Sequence, residues 1–324
     1  MRLPRAGSAA VATLMAIVLN AMLPAGCGGR PSAVIDTGGI NDAHTVSILE
    51  TARHAFLAGR YDQATAGYAR ALDRAHALDD AAAIALAGQE LAISDLRRGK
   101  AESAAEVAAR TRSDLARRRH PGLPALALAL VEATARYRLG QSQKAWQLAQ
   151  EAIESSKDPL VSARATYLMG LLAADRGDRT ALRAAIEGLP ASEQPELTAD
   201  RLALTGRLAL LDDDAGAAFD AFTAEERLRR ASGDEAGVAR ALTSAAQAAE
   251  KGGRRSEAAD LYFRAGRSAV QAGSGSDEAA ALLRHAEQLA RQTSQPELAE
   301  EAVRLRRALP RLGRAADGEE RQAW

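Results

Sequence analysis

Aromatic side chains are scarce in this sequence of 324 residues, where Phe, Trp and Tyr together make up 3%. A core cannot rest on a few large anchors and has to come from many small contacts, which favours closely packed helices. Runs of β-branched or aromatic residues that would read as strands are also scarce. Alanine, the residue of highest helix propensity, dominates the apolar content instead. The expected class is all-α, with no sheet. Cys27 is the only cysteine, so no internal disulfide can form. Charge of one sign is lacking too, with 42 Lys and Arg against 42 Asp and Glu. Neither the basic surplus nor the stacking aromatics of a nucleic-acid binder is present, and no nucleic acid is expected as a partner.

Long apolar runs are missing as well. The stretch from Ala9 to Leu23 follows Arg2 and Arg5 and is interrupted only by Thr13 and Asn20. It falls short of the ~20 residues that span a bilayer as a helix. It ends in Leu23-Pro24-Ala25-Gly26-Cys27, the shape of an export signal over residues 1–26. The segment resembles a bacterial lipobox, in which cleavage before the cysteine frees its amino group and the thiol carries diacylglycerol. Leu23 stands four residues before Cys27, whereas the lipobox pattern has its aliphatic residue three before. The resemblance implies acylation of Cys27 and membrane attachment through that lipid. Gly28, not Asp, follows, which by likeness to lipoprotein sorting rules implies the periplasmic face of the outer membrane. The alternative is an ordinary signal peptide cut elsewhere, for instance after Ala33, giving a soluble periplasmic or secreted protein. Residues 27–41 are rich in Gly and Pro and read as a flexible tether of roughly 20 Å.

What the chain does have is a repeat. Gly59, Gly99, Gly140, Gly177, Asp213 and Gly253 follow one another at intervals of 40, 41, 37, 36 and 40 residues. Five positions beyond them stand Ala64, Ala104, Ala145, Leu182, Ala218 and Ala258, and seven before them Ala52, Ala92, Ala133, Gly170, Gly206 and Ala246. All but Leu182 are small. Nine beyond come Tyr68, Ala108, Ala149, Ile186, Phe222 and Tyr262, one helical turn further along the same face. Two antiparallel helices approach closely where each offers a small side chain, a bulkier residue fills the space one turn later, and Gly or Asp suits the left-handed turn that ends a helix. The unit is a helical hairpin.

The segments Gly59–Leu72, Gly140–Ala152 and Gly253–Ala265 resemble the tetratricopeptide repeat family, and the likeness runs from about Ala43 to Leu309. It implies a right-handed superhelical solenoid of antiparallel hairpins over residues 42–309, with about six repeats and a C-terminal capping hairpin (277–292 and 297–309) in one elongated domain. Most intervals exceed the family's 34 residues, so helices or turns must be longer. The repeat around Leu182 matches least well, and its second helix is expected to end near Gly188-Leu189-Pro190. Pro121, Pro124, Pro159 and Pro195 fall where the phase expects turns between hairpins. Pro310 is expected to stop the last helix and leave 310–324 as a polar tail. In the family, partner peptides lie on the concave face lined by first helices. The corresponding candidates, read as exposed, are Arg53, Gln89, Arg97, Tyr137, Arg138, Tyr167, Arg207 and Gln247. Arg and Tyr are common at protein interfaces.

Signals for chemistry are few. His44, His54, His76, His120 and His285 show no zinc spacing, so no metal is expected. Gly273-Ser-Gly275-Ser lacks the Lys of a phosphate loop, and no Gly-x-Ser-x-Gly elbow occurs. Asp212-Asp213-Asp214 and Glu225-Glu226 read as solvated charge. Tyr61, Trp146, Phe219 and Phe263 join Tyr68, Phe222 and Tyr262 on second helices, where they read as packing between hairpins. No cofactor and no small-molecule substrate are expected. The leading expectation is a non-enzymatic envelope scaffold binding other envelope proteins or peptides. A regulatory lipoprotein that activates a cell-wall synthesis enzyme and an enzyme with an unrecognised site are the alternatives.

Overall fold

The computed structural model describes residues 39–119, 123–190, 194–272 and 276–319. Cys27, the expected signal, the tether up to residue 38, His120, Pro121 and the 273–275 turn lie outside the described residues, as do the last five positions. Among the described residues there are fourteen α-helices and no strand. They are α1 Ala43–Leu57, α2 Tyr61–Ala77, α3 Ala81–Arg97, α4 Ala101–Arg117, α5 Leu123–Arg138, α6 Ser142–Ser155, α7 Pro159–Asp175, α8 Arg179–Gly188, α9 Pro195–Leu211, α10 Ala215–Ala231, α11 Glu235–Lys251, α12 Arg255–Gln271, α13 Ser276–Gln292 and α14 Pro296–Glu319.

The long repeat has a simple origin. Between Gly59 and Gly99 the chain holds two helices of 17 residues and two turns of three, which accounts for the 40-residue interval. The turn within each hairpin is built the same way. Gly59, Gly99, Gly140, Gly177 and Gly253 have φ between 69° and 77°, and Asp213 has φ 61°. At five of these six turns the next amide reaches back to a carbonyl five residues earlier, as from Arg60 to Ala55 at 2.9 Å and from Lys100 to Asp95 at 2.8 Å. This closure satisfies carbonyls that the helix end would leave orphaned. Aspartates start the next helices: the side chains of Asp42, Asp80, Asp158, Asp214 and Asp234 accept from backbone amides two or three residues on.

All twelve positions flanking the turns are buried, Leu182 included. Space for bulk is provided as the sequence implies: a Cβ on Gly206 of α9 would lie 2.6 Å from the Phe222 ring of α10. Pro124, Pro159 and Pro195 do not sit in turns. They occupy the first or second position of α5, α7 and α9, where a missing backbone donor costs nothing. The last helix also differs from expectation, since α14 runs through Pro310 to Glu319. The residues after the proline, Arg311 to Ala316, are mostly strong helix formers.

The helices group into two compact units rather than one domain. The first runs through Arg176 and includes Glu187–Leu189. The second comprises Gly177–Ile186 and everything from Pro190 onward. The division falls in the hairpin that matches the repeat least well. Its second helix, α8, has 10 residues where neighbours have 17, and so offers little surface for continuous packing. In the first unit, Leu49, Tyr68, Ile84, Ile93 and Leu115 centre one core cluster, and Leu130, Leu148, Val161 and Leu172 a second. In the second unit, Phe222, Leu242, Tyr262, Leu283 and Leu289 form the core.

Candidate functional site

Within the first unit the first helices of successive hairpins touch directly: α1 packs on α3, α3 on α5 and α5 on α7. Among the described residues the second helices α2, α4 and α6 do not meet to that extent. A row whose members converge lies on the inner side of a curved two-layer array. Arg53 (α1), Gln89 and Arg97 (α3), Tyr137 and Arg138 (α5) and Tyr167 (α7) all belong to this row. Arg207 on α9 and Gln247 on α11 belong to the second unit.

Exposure of these candidates is uneven. Arg97, Tyr137, Tyr167 and Arg207 are half-buried, and Arg138 and Gln247 are exposed. Arg53 and Gln89 are not exposed as expected: they retain 8% and 3% of their surface. The cause is the tight inner row, since α3 is buried without a break from Ala83 to Leu96. Arg138 contributes to the framework, its Nη1 donating to the Leu96 carbonyl at the end of α3 at 2.6 Å.

A polar cluster invisible to the repeat pattern sits on α1, α2 and α3. Glu90 is 1% exposed and neither of its carboxylate oxygens has a hydrogen-bond partner. Arg53 Nε, the Tyr68 hydroxyl and Gln89 Nε2 are also buried without partners. Burial pushes the Glu90 carboxyl up to about 7, while Arg53 and Tyr68, standing beside it, act in the opposite direction. Neither closes a hydrogen bond of good geometry to it. Tyr68 has its hydroxyl pushed far above the ordinary range, by burial first and then by the Glu90 charge.

The second unit holds a polar cluster of the opposite kind, fully paired. Arg229 on α10 is 3% exposed and meets Asp200 of α9 at 2.5 Å, Glu225 at 3.4 Å and Asp234, the residue capping α11, at 3.5 Å. Arg240 stands 3.9 Å from Asp234. Glu225 is pushed up to about 7 by burial, against the pull of Arg229. Glu225 and Glu226, which read as solvated charge, are both buried; Glu226 pairs with Arg230 and, at 3.7 Å, with Arg264. Asp212, Asp213 and Asp214 serve the turn: Asp212 accepts from Arg179 and Arg183, Asp213 from Lys251, and Asp214 caps α10.

The aromatics are used in packing and in cation contacts. Phe56 and Tyr61 meet edge to face at 5.2 Å, Arg176 lies 5.0 Å over Trp146, and Arg254 lies 3.8 Å over Phe219. His285 bonds Glu250 at 3.0 Å and meets the Tyr262 ring edge to face at 4.4 Å, tying α11, α12 and α13 together. Among the described residues no group of three His, Cys, Asp or Glu side chains has a metal-holding arrangement.

No family model matches the sequence, and no curated protein is similar to it. Solved structures are. The apo form of the quorum sensor NprR from B. thuringiensis superposes with a TM-score of 0.51 at 12% identity, over 82% of this chain and 87% of that one. A tetratricopeptide repeat protein from Parabacteroides merdae covers 81% of this chain and 100% of its own length at 15% identity, with a TM-score of 0.47. A Rap protein complexed with Competence and Sporulation Factor covers 84% and 99% at 13% identity, with a TM-score of 0.48. At such identities the likeness concerns fold. Helix pairing, turn geometry and buried small residues define the class: an all-α array of tetratricopeptide-type helical hairpins.

Proposed function

We propose that this chain is a non-enzymatic scaffold of the bacterial cell envelope that binds partner proteins or peptides along the inner helices of its first unit. One observation carries the reading. Four contact candidates that keep surface, Arg97, Tyr137, Arg138 and Tyr167, stand on a single converging row of first helices, α3, α5 and α7, where Arg and Tyr combine ring surface with planar donor groups. NprR, which has a similar helical architecture, is a quorum sensor by its own description. Attachment would come through lipid on Cys27, with the folded body held off the outer membrane by residues 27–41. No helix among the described residues is long and apolar enough to cross a membrane.

Two measurements test the two halves. A photo-crosslinking residue at Tyr137 or Tyr167 is expected to capture envelope proteins in living cells, whereas the same residue at the exposed Gln147 of the second helix α6 is not. Equal capture from all three positions would remove the inner row as the contact surface. Cys27→Ser is expected to leave unprocessed or soluble protein. Palmitate labelling and membrane fractionation that persist in this variant would end the anchoring half.

A further inference from the structure

Exposed arginines of the second unit gather on one face of its second helices. Fourteen positions beyond the turn markers the first unit exposes Asp73, Ser113 and Glu154, whereas the second exposes Arg227 and Arg267. Arg230, Arg264, Arg304 and Arg307 are exposed on the same helices, α10, α12 and α14. Over 224–231, 264–271 and 304–309 no exposed acid accompanies them, because Glu225 and Glu226 are buried. Exposed acids of these helices, such as Asp220, Asp260 and Glu300, stand in the N-terminal halves, and Asp277 and Glu278 open the neighbouring α13. Two of the arginines are held in place by one carboxylate. Arg230 Nε donates to Glu226 at 2.8 Å, and Arg264 Nη2 stands 3.7 Å from the same oxygen, while the two side chains keep 53% and 43% of their surface. Arg267 lies 5.9 Å over the Phe263 ring, and among the described residues no acid pairs with Arg227, Arg304 or Arg307.

The row that carries them is the converging one. α12 packs directly on α14, and the Arg264–Glu226 contact joins α12 to α10, whereas among the described residues the first helices α9, α11 and α13 do not meet to that extent. The inner side of this unit is therefore made by second helices, the reverse of the first unit. All six cations are arginine, whose planar fork takes a carboxylate or a phosphate through two hydrogen bonds. A flat bilayer fits a concave row poorly, and no exposed aromatic stands among the arginines to enter a membrane interface or to stack a base. A protein segment can follow the row. We propose that Arg227, Arg230, Arg264, Arg267, Arg304 and Arg307 form a docking strip for an extended, acidic segment of a partner protein that crosses α10, α12 and α14. Helices in contact lie about 10 Å apart, and a chain with three residues per turn advances roughly 9 Å per turn, so carboxylates at every third residue fall on successive helices. The inference goes beyond the scaffold reading, since it needs neither the inner row of the first unit nor lipid on Cys27.

The test uses the purified full chain carrying Cys27→Ser and a fluorescein-labelled peptide of repeated Glu-Pro-Pro units, followed by fluorescence anisotropy at low ionic strength. The peptide is expected to bind, to bind more weakly as salt is added, and to lose its affinity when Gln replaces Glu. Joint reversal of Arg227→Glu and Arg267→Glu, and separately of Arg304→Glu and Arg307→Glu, is expected to weaken binding at least roughly tenfold. Thermal melting should stay unchanged, because these side chains are exposed and hold no partner acid. The same reversal at two exposed arginines of the first unit, Arg70→Glu with Arg110→Glu, is expected to leave binding within about twofold. Equal losses in all three pairs would reduce the effect to overall charge and overturn the strip, as would a Glu peptide that binds no better than its Gln counterpart. Vesicles of phosphatidylglycerol, with phosphatidylcholine as the blank, supply the remaining arm. Capture by these vesicles that depends on the same arginines, without binding of the Glu peptide, would assign the strip to a bilayer and overturn the acidic segment. Each of these outcomes leaves the crosslinking test of the first unit untouched.

Discussion

Arg229→Met is expected to destabilise the second unit by about 3–5 kcal/mol near pH 7.5, read as the change in urea unfolding followed by helical circular dichroism. The guanidinium is 3% exposed and faces Asp200, Glu225 and Asp234, so its removal takes the shared cation away from three buried carboxylates, while Arg240 stays 3.9 Å from Asp234. The variant should recover part of the loss on acidification to about pH 5, as those carboxyls take up protons in place of their lost partner. A loss under ~1 kcal/mol would mean that the three acids are solvated and that the buried network does not exist in solution.

The same cluster sets a pH dependence in the unaltered protein. Glu225 has its folded pKa raised to about 7 from 4.5, chiefly by burial, and Glu90 is raised likewise. The native state therefore holds protons that the unfolded chain releases. Each group's contribution is fully present below pH ~4.5 and is lost as pH rises through 7. Between pH 8 and 5 the protein should gain on the order of 1–3 kcal/mol from each group. Asp42 and Asp213, held below the ordinary carboxylate range by Arg74 and Lys251, act in the opposite sense, and only below that window. Glu225→Gln is expected to remove its share of the slope, and an unchanged slope would locate the proton uptake elsewhere.

Gly88→Ala is expected to lower stability by about 1–3 kcal/mol, although alanine is favoured over glycine by ~1 kcal/mol in a helix interior. Gly88 lies in the middle of α3 against α4, and a Cβ there would stand 2.6 Å from Thr111 Cγ2 and 3.0 Å from Thr111 Cβ. Thr111 cannot easily turn away. It is β-branched, and its hydroxyl donates to the Val107 carbonyl at 2.8 Å. Thr111→Ala in the same chain should recover most of the loss, giving a coupling well above the additive value in a double-mutant cycle. A Gly88→Ala variant more stable than the parent would show that α3 and α4 stand further apart than described.

The helical hairpins were legible because their causes are local. A left-handed turn residue, mostly small residues five after and seven before it, and in four of the six repeats a bulkier one nine after recur in the chain at the spacing at which they meet in space. One marker escaped: Ser294, 41 residues after Gly253, makes the same turn with φ 57°, but serine at that position gives no turn signal of its own. Pro310 misled in the other direction, because one missing donor does not end a helix whose later residues favour it. The partner-facing row was legible as a set of first helices, but not the burial of Arg53 and Gln89 within it. Glu90 carried no signal at all, being one acidic residue among many, and nothing in its neighbourhood of the chain announces Arg53 or Tyr68.

By itself, the sequence determined an all-helical chain of hairpins, where six of the turns within hairpins fall and which alanines and glycines face inward. These follow from backbone propensity and from steric room, both readable over a span of a dozen residues. Only the tertiary structure decided that the helices divide into two units near α8, that Glu225 and Glu226 are enclosed, and that Glu90 lies beside Arg53 and Tyr68 without a hydrogen bond. Pairing and desolvation of charge depend on which helices meet, and residues 22 (Tyr68 and Glu90) to 38 (Glu226 and Arg264) positions apart along the chain acquire their electrostatics only once those helices have packed.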